Sequence, residues 1–281
     1  MSSLSSHLQS RRIPPHLPRD ILAFLLSYPS LRPSPGKNAN ALFYLNQHPA
    51  LPRRVKCEEL QRELEGNWNE LEHRHDFVQW LFPIREQGVN WDAQPLELHE
   101  VDTIKKDPKA MDRLLDSYRL LLSFYGLRLV CPSSGELALE DSVPAPSPAS
   151  FVRRFQNLER NPHNYLRITR ILKCLGEFGL PQHPPSFLLF ILSLQSPPPP
   201  GNPSKPTYLT SPALVRSMDT YWRYCVRDDE EREFVVGKVE EVRAGKKGAW
   251  GEEEYRRWVR ERRERRERGG KEGKGEKGRE E

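Results

Sequence analysis

A cluster of large aromatic residues in the first half of the chain constrains the fold more than any other feature. It lies between Asn67 and Lys106 and contains five rings, which are Trp68, Phe77, Trp80, Phe82 and Trp91. Such side chains bury a large apolar area and dominate the energetics of both cores and interfaces. The cluster therefore predicts a folded segment. Burial of Trp80, Phe82 and Trp91 in the core is favoured over the alternative, a ligand pocket.

The clearest helix begins at Asp107, a favourable N-cap, with Pro108 at the first helical position. Apolar residues then recur at helical spacing from Met111 to Tyr125. This stripe predicts the central buried helix of the protein. Leu115 and Leu122 belong to its apolar face, and we expect truncation of either to cost about 2–5 kcal/mol.

Other segments also have helical patterns, and no segment of useful length alternates as a strand would. Further helices are predicted at Arg19–Ser27, Ala39–His48, Val55–Glu65, Asn67–Leu81, Leu96–Lys106, Pro162 to a capping Gly179, Pro185–Gln195 and Ser211–Val242. Asn67 and Glu70 form a capping box at the start of the fourth of these. The fold class is therefore predicted to be all-α, in a single multi-helix domain.

Composition divides the chain into three parts. Residues 1–36 are rich in Ser and Pro and are predicted to be mostly disordered, apart from one short helix. The helical domain is predicted at residues 37–243, with Pro-rich loop insertions at 132–150 and 196–206. Residues 249–281 form a charged tail whose start is compatible with a helix and whose glycine-containing end has almost nothing to bury.

The net charge, the cysteines and the longest apolar run limit the classes of protein to which the chain can belong. The formal net charge of +5 permits an acidic partner but does not require one. Four widely spaced cysteines argue for reduced thiols in an intracellular protein. The longest apolar run, Phe187–Leu194, is far shorter than the roughly 20 residues that span a bilayer. It predicts a buried helix, so no membrane-spanning segment is expected.

Basic residues supply the best candidates for a binding surface. Arg167, Arg170 and Lys173 recur every three residues along one side of a predicted helix. This row either forms a positive strip for phosphate, nucleic acid or an acidic peptide, or is the ordinary solvated face of an amphipathic helix. Arg85 follows an aromatic-proline break, where it either clamps an anion or forms an ion pair that holds the loop.

Motifs for catalysis are absent from the sequence. There is no nucleophile elbow, phosphate-binding loop, dinucleotide fingerprint or metalloprotease motif. His73 and His75 point in different directions on a helix and do not readily share a metal ion. Cys174 lies among apolar helical residues, which predicts a buried, unreactive thiol. We therefore expect a non-enzymatic protein without a metal or a cofactor.

Two sequence blocks indicate a family. The first reads QWLFPIRE and GVNW from Gln79 to Trp91, and the second contains RRFQNL and LRITRILKCLGE between Arg153 and Glu177. Over about residues 42–232 the chain resembles the opioid growth factor receptor family. The resemblance implies peptide binding of the enkephalin type and a location in the nucleus, the perinuclear region and the cytoplasm. It also implies peripheral association with membranes.

The expected function is that of a receptor-like module for a short peptide or an acidic protein partner. The candidate partner-binding residues are Trp80, Phe82, Arg85, Trp91, Arg167, Arg170 and Lys173. The alternative is a nuclear scaffold or nucleic-acid-associated protein that uses the basic helix face and the tail. Interleaved glutamates weaken the field of that tail, so only weak nucleic-acid binding is expected. An enzyme of unrecognised type is the third possibility.

Overall fold

Helices form almost all of the regular structure in the computed structural model of the protein. The structure describes residues 11–141, 147, 150–197, 206–246 and 250–276, with side chains up to residue 265 in the last helix. Parts of four predicted segments lie outside the described residues. They are 1–10 of the N-terminal segment, 142–146 and 148–149 of the first loop insertion, 198–205 of the second insertion, and 249 and 277–281 of the charged tail.

The elements follow one another with short connections. The α-helices are α1 Arg19–Leu25, α2 Ala39–Tyr44, α3 Cys57–Leu64, α4 Trp68–His73, α5 Val78–Leu81, α6 Leu98–Lys106, α7 Pro108–Phe124, α8 Phe151–Arg160, α9 His163–Glu177, α10 His183–Gln195, α11 Pro212–Thr220, α12 Asp229–Arg243 and α13 Glu252–Glu276. A 3₁₀ turn spans Trp222–Tyr224, and two strands, β1 Leu127–Cys131 and β2 Glu136–Leu139, lie between α7 and α8. The all-α prediction is confirmed for the architecture as a whole.

The small hairpin is an exception that the sequence did not predict. β1 and β2 are antiparallel, with Leu127 opposite Leu139. β1 comes directly before the predicted loop insertion at 132–150, and the turn and β2 occupy its start. Gly135 adopts a positive φ of 76° in the connecting turn. A side chain there would approach the Gln182 carbonyl oxygen to 2.6 Å. Strands of four or five residues are too short to give a clear alternating pattern.

Two predicted long helices are broken. The Asn67 side chain does cap α4 by accepting a hydrogen bond from the Glu70 amide at 3.3 Å, but α4 ends at His73 and the chain is extended at Arg74 before α5. The Arg167 side chain occupies carbonyl oxygens at this break, as described below. Similarly, the helix predicted from Ser211 to Val242 is divided into α11, the 3₁₀ turn and α12.

The N-terminal segment packs onto the core between residues 11 and 28, so the prediction of a mostly disordered stretch is wrong for that part, and the one short helix predicted there is confirmed as α1. Ile13, Ile21 and Phe24 are buried. Arg11 donates a hydrogen bond to the Leu25 carbonyl at 2.6 Å and pairs with Asp229 at 3.2 Å. The apolar residues of α1 had no visible partner in the sequence because they pack against elements distant in the chain.

The start of the charged tail is also part of the folded domain. Trp250 donates a hydrogen bond from its indole nitrogen to the Leu189 carbonyl at 2.8 Å. The Tyr255 hydroxyl lies 2.7 Å from the Ser186 hydroxyl and accepts a hydrogen bond from the Leu137 amide at 2.8 Å. Trp258 is buried as well. These aromatic residues anchor α13 against α10 and β2.

The core surrounds α10, the predicted apolar helix, which is buried on every side. The α7 helix is capped by Asp107, whose carboxylate accepts a hydrogen bond from the Ala110 amide at 2.9 Å. Leu114 is fully buried there, whereas Leu115 is partly exposed, so the cost predicted for truncating Leu115 belongs to Leu114. None of the described helices has both the length and the hydrophobicity needed to cross a membrane.

Candidate functional site

The three basic residues of α9 face the interior of the protein. Arg167 is 6% exposed and Lys173 is 1% exposed, while Arg170 is half-buried. The expectation of a solvated basic strip is therefore wrong. This side of α9 packs against the segments between α4 and the loop after α5, and the cations bind groups of those segments.

Arg167 holds the break between α4 and α5. Its guanidinium donates hydrogen bonds to the carbonyl oxygens of Leu71 at 2.5 Å, Glu72 at 3.3 Å and Arg74 at 2.7 Å. It also lies 5.3 Å from the centre of the Phe77 ring. The planar fork of arginine suits this role because it satisfies several diverging acceptors at once.

Arg170 and Arg85 have comparable internal roles. Arg170 donates a hydrogen bond to the Phe82 carbonyl at 2.7 Å, and burial lowers the pKa of its guanidinium to about 10. Arg85 donates to the Ser27 carbonyl at 2.9 Å and lies 5.4 Å from the centre of the Tyr28 ring. Its hydrogen bond goes to a carbonyl, so it matches neither the predicted anion clamp nor the predicted ion pair.

Lys173 ties the N-terminal segment to the loop after α5. Its ammonium nitrogen lies 2.8 Å from an Asp20 carboxylate oxygen and 2.8 Å from Glu86. The Tyr28 hydroxyl donates to the same Glu86 carboxylate at 2.7 Å. Burial alone would lower the pKa of Lys173, but the nearby Glu86 and Asp20 carboxylates outweigh it and raise that pKa above its usual value.

A polar cluster lies beside Arg167 at the start of α9. The Glu72 carboxylate accepts hydrogen bonds from Asn157 at 2.5 Å and Asn164 at 3.2 Å, and its other oxygen lies 2.9 Å from His163 Nε2. The ring of His75 meets that of His163 edge-on, with centres 5.6 Å apart. Burial lowers the pKa of His163. The cluster joins α4, α8 and α9.

The next side chains to consider are the possible metal ligands and the four cysteines. Within the described part of the chain, no three His, Cys, Asp or Glu side chains are placed to hold a metal ion. Burial raises the pKa of Cys57 and Cys225 to about 12 and that of Cys174 well above its usual range. Cys131 differs, because hydrogen bonds from Ser133 and its neighbour lower its pKa to about 7.

The predicted aromatic residues divide into two groups. Trp80 and Phe82 are buried, as expected for core residues, and the Trp80 indole donates a hydrogen bond to the Leu51 carbonyl at 3.0 Å. Trp91 is 83% exposed and Val89 is 82% exposed. The prediction of core burial is therefore wrong for Trp91, which is the one predicted site residue with most of its surface open to solvent.

Trp91 is carried by residues 87–92, which we name the Trp91 loop, and several contacts hold this loop in place. The Asn90 side chain donates a hydrogen bond to the Asp76 carbonyl at 2.9 Å. Gly88 lies so close to the core that a side chain there would approach Gln79 Cγ to 2.7 Å. The loop thus presents its two apolar side chains from a fixed backbone.

Arg53 is an exposed cation beside this loop, and sequence reasoning missed it. Its Nε lies 3.4 Å from the Asp76 carboxylate, so Arg53 and the Trp91 loop meet at the same residue. The Arg53 side chain is 53% exposed. No motif marks this arginine in the sequence, because its proximity to the loop depends on its contact with Asp76, which is distant in the chain. Arg53, Val89 and Trp91 form the candidate binding site.

The family model and the similar proteins that match this chain all belong to one family. Residues 34–257 match the family described as "Opioid growth factor receptor (OGFr) conserved region". The chain is 35% identical to mouse (Mus musculus) opioid growth factor receptor-like protein 1 over 216 residues, which cover 76% of this chain and 42% of that protein. It is 34% identical to human (Homo sapiens) opioid growth factor receptor over 239 residues, which cover 84% of this chain and 33% of that protein.

The matched region is thus a minor part of those relatives, since the alignments span less than half of their length. No solved structure matches the chain. Both blocks that carried the resemblance meet in the structure, where the arginines of α9 bind the segment from α4 to the loop after α5. The family match covers most of the chain, and the chain belongs to the opioid growth factor receptor family.

Proposed function

We propose that this chain is a non-enzymatic binding module that takes a short peptide, or an acidic segment of a partner protein, at the Trp91 loop. The observation that carries the proposal is the exposure of Val89 and Trp91, at 82% and 83%, on a fixed loop. The relatives' names support it, because one relative is named a growth factor receptor and the other a receptor-like protein. The site holds no arrangement of groups suited to catalysis.

Burial of Trp91 by a partner supplies the main driving force. Covering a side chain of this type removes roughly 150–250 Å² from water, which is worth about 4–6 kcal/mol before the entropy cost of association. Tryptophan is among the residues that most often dominate binding energy at interfaces. The contacts at Gly88 and Asn90 reduce that entropy cost, because the loop does not need to be ordered on binding.

Arg53 gives the site its preference for a carboxylate, because its Nε faces Asp76, at 3.4 Å, while its side chain is 53% exposed. A charge-assisted hydrogen bond of this kind contributes about 1.5–3 kcal/mol when it is shielded from water. Arg53 takes the role that the sequence assigned to Arg85 or Arg167, since those two residues are committed to internal carbonyl groups. The proposed ligand therefore places an aromatic or apolar group against Trp91 and an acidic group against Arg53.

Titration calorimetry with an enkephalin-type pentapeptide tests the proposal on the full chain. We expect Trp91→Ala to weaken binding about tenfold or more, since each tenfold loss corresponds to about 1.4 kcal/mol. Leu166→Ala is the matched control, because Leu166 is a 77% exposed apolar residue on α9 outside the site. Arg53→Gln should weaken binding by a smaller factor. Circular dichroism checks that each variant is folded.

Equal binding by the wild type and Trp91→Ala would refute the assignment of the site. Absence of binding to the wild type, with both the pentapeptide and an acidic aromatic peptide, would refute the proposed function. A loss shared by Leu166→Ala would show a general effect of lowered surface hydrophobicity. Only a loss specific to Trp91 and Arg53 supports the proposal.

A nucleic-acid-associated role is the second candidate, and it rests on exposed arginines of α13 such as Arg256 and Arg260. The cations of α9 give it no support, because they bind internal groups. Glu252 pairs with Arg256 at 2.6 Å and weakens the local field. Binding of this type falls steeply as salt rises, whereas binding at Trp91 does not.

Location is part of the same proposal. We infer residence in the nucleus, the perinuclear region and the cytoplasm, with peripheral association with membranes, and only membership of the family supports this inference. Imaging of a fluorescent fusion, together with fractionation at low and high salt, tests it. Exclusive recovery in a secreted fraction would refute it.

A further inference from the structure

A second groove lies between the start of α12 and the first half of α13. It encloses about 730 Å³. Three aromatic residues line it, and one of them, Phe234, contacts the other two. The Phe234 ring lies edge-on to Trp250 with centres 5.9 Å apart, and it is parallel to Trp258 within 9° with centres 6.3 Å apart. Phe234 is 38% exposed and offers the most accessible ring.

Carboxylates outnumber cations along this groove. Five acidic residues line it, namely Asp228, Glu230, Glu231, Glu254 and Glu261, against three arginines. One arginine, Arg262, is neutralised by Glu231 at 2.5 Å, and a second, Arg257, lies 3.9 Å from Glu254. Glu230 and Glu261 have no ion-pair partner among the residues described by the structure. The remaining charge favours a cationic ligand and disfavours an anionic one.

The groove already binds one cation that belongs to the chain itself, and a second cation lies beside one of its aromatic rings. The Arg262 guanidinium lies 5.1 Å from the centre of the Trp258 ring, and it donates hydrogen bonds to both Glu231 oxygens at 2.6 and 2.7 Å. The Lys238 ammonium lies 5.6 Å from the centre of the Phe234 ring. An aromatic face combined with a carboxylate is the arrangement that recognises arginine and lysine side chains.

We propose that this groove binds a basic linear peptide segment of a partner protein. An arginine or lysine side chain of the segment lies against the exposed part of the Phe234 ring. Its charge is taken by Glu230, or by Glu254 in place of the 3.9 Å contact between Glu254 and Arg257. This site shares no residue with Arg53, Val89 and Trp91, and it selects the opposite charge. The two proposals therefore stand or fall separately.

Fluorescence anisotropy with the full chain tests this site. The probe is a fluorescein-labelled Gly-Ser peptide that contains two arginines and one lysine. Its neutral analogue has citrulline at the arginines and acetyl-lysine at the lysine. We expect saturable binding of the basic peptide and at least tenfold weaker binding of the analogue. This comparison uses the wild type alone, so it does not depend on the folding of a variant.

Matched variants then locate the site. Glu230→Gln with Glu254→Gln should weaken binding about tenfold, whereas Glu59→Gln with Glu253→Gln, which removes the same charge at exposed positions outside the groove, should change it less than about twofold. Phe234→Ala should weaken binding about two- to fivefold. Tyr221→Ala is its control, because Tyr221 is 39% exposed and lies outside the groove.

Several outcomes would overturn the proposal. Equal binding of the basic peptide and its neutral analogue would remove the role of charge. Equal losses in the groove variant and the Glu59 and Glu253 control would assign binding to the overall field of the protein. Self-association that disappears in the Glu230 and Glu254 variant, measured by light scattering, would assign the groove to a second copy of the chain.

Discussion

The helices α9 and α13 carry similar basic residues at helical spacing, yet they use them in opposite ways. On α9, Arg167 and Lys173 are buried and hold neighbouring segments together. On α13, Arg256 and Arg260 are exposed, and Arg262 is the buried exception among the side chains described there. Residue type and spacing therefore do not decide whether a helical arginine is a surface group or an internal one.

The difference arises from what faces each helix. The segments opposite α9 leave regular secondary structure at Arg74 and Phe82, where carbonyl oxygens need donors. Buried backbone carbonyls are almost always hydrogen-bonded, and a guanidinium can satisfy several of them. Arg262 meets the same situation, since it donates to the carbonyls of Gln182 and Pro181 at 3.2 Å each. The exposed arginines of α13 face solvent instead.

The largest effect is expected from Arg167→Ala. The change leaves the Leu71, Glu72 and Arg74 carbonyls without their donor and removes a cation that interacts with the Glu72 carboxylate. We expect a loss of about 3–5 kcal/mol in the free energy of unfolding. Urea denaturation followed by circular dichroism measures it. Arg167→Lys should recover only part of the loss, because an ammonium cannot bridge the same acceptors.

A loss below about 1 kcal/mol for Arg167→Ala would mean that water replaces the guanidinium at no great cost. The buried arginines of α9 would then differ from the exposed arginines of α13 in position but not in their contribution to stability. Arg160→Ala is a suitable control for the loss of an arginine, because Arg160 is exposed at the end of the neighbouring helix α8.

Local signals in the sequence predicted the parts of the fold that depend on neighbouring residues. The cap at Asp107 and the helix end at Gly179, which has a φ of 69°, are confirmed. Burial of Trp80 and Phe82 is confirmed as well. These features depend on backbone preference and apolar area, which a short window of sequence contains.

Long-range partners account for what the sequence did not show. Lys173 is internal because Asp20 and Glu86, far away in the chain, converge on it. The groove between α12 and α13 was not predicted from the sequence, because the tail was interpreted by its charge alone. Trp250 and Trp258 are part of that tail. Apolar residues in a highly charged stretch were the available signal for that packing.

The next largest effect concerns Arg262, the one buried arginine among the α13 side chains that the structure describes. Arg262→Ala removes the ion pair with Glu231, three hydrogen bonds to backbone carbonyls and the contact with Trp258. We expect a loss of about 2–4 kcal/mol, because the partners retain some access to water. Denaturation measures the loss, and limited proteolysis should show earlier cleavage near α13. Unchanged stability would show that Arg262 contributes no more to the free energy of unfolding than the exposed arginines of the helix do.

A smaller, pH-dependent effect is expected from His163, which lies beside Arg167. Burial holds the pKa of His163 below its unfolded value of about 6.5. The unfolded state then binds the proton more readily, so the contribution of His163 is complete above about pH 6.5 and is lost as the pH falls toward the folded pKa. The Glu72 carboxylate opposes this shift, while Arg167 and His75 reinforce it.

Unfolding measured at pH 7.5 and pH 5.5 tests this prediction. His163→Gln should lose less stability between the two pH values than the wild type does. His73→Gln is the control, because His73 is exposed and its ring lies 3.0 Å from the Asn69 carbonyl within its own helix. Identical pH dependence in the wild type and His163→Gln would show that the buried cluster on α9 does not respond to protonation of this histidine.

The smallest effect is expected from Arg260→Ala, on the exposed side of α13. Arg260 lies two residues before Arg262 in the same helix, but its side chain is exposed. Alanine also has the higher helix propensity, so we expect a change within about 0.5 kcal/mol of zero. Denaturation in parallel with Arg262→Ala measures the difference between two arginines of one helix. A loss for Arg260→Ala as large as that for Arg262→Ala would mean that the helix needs its arginines for a general electrostatic reason. In that case, the carbonyl groups facing Arg167 and Arg262 would no longer explain why these two residues are buried.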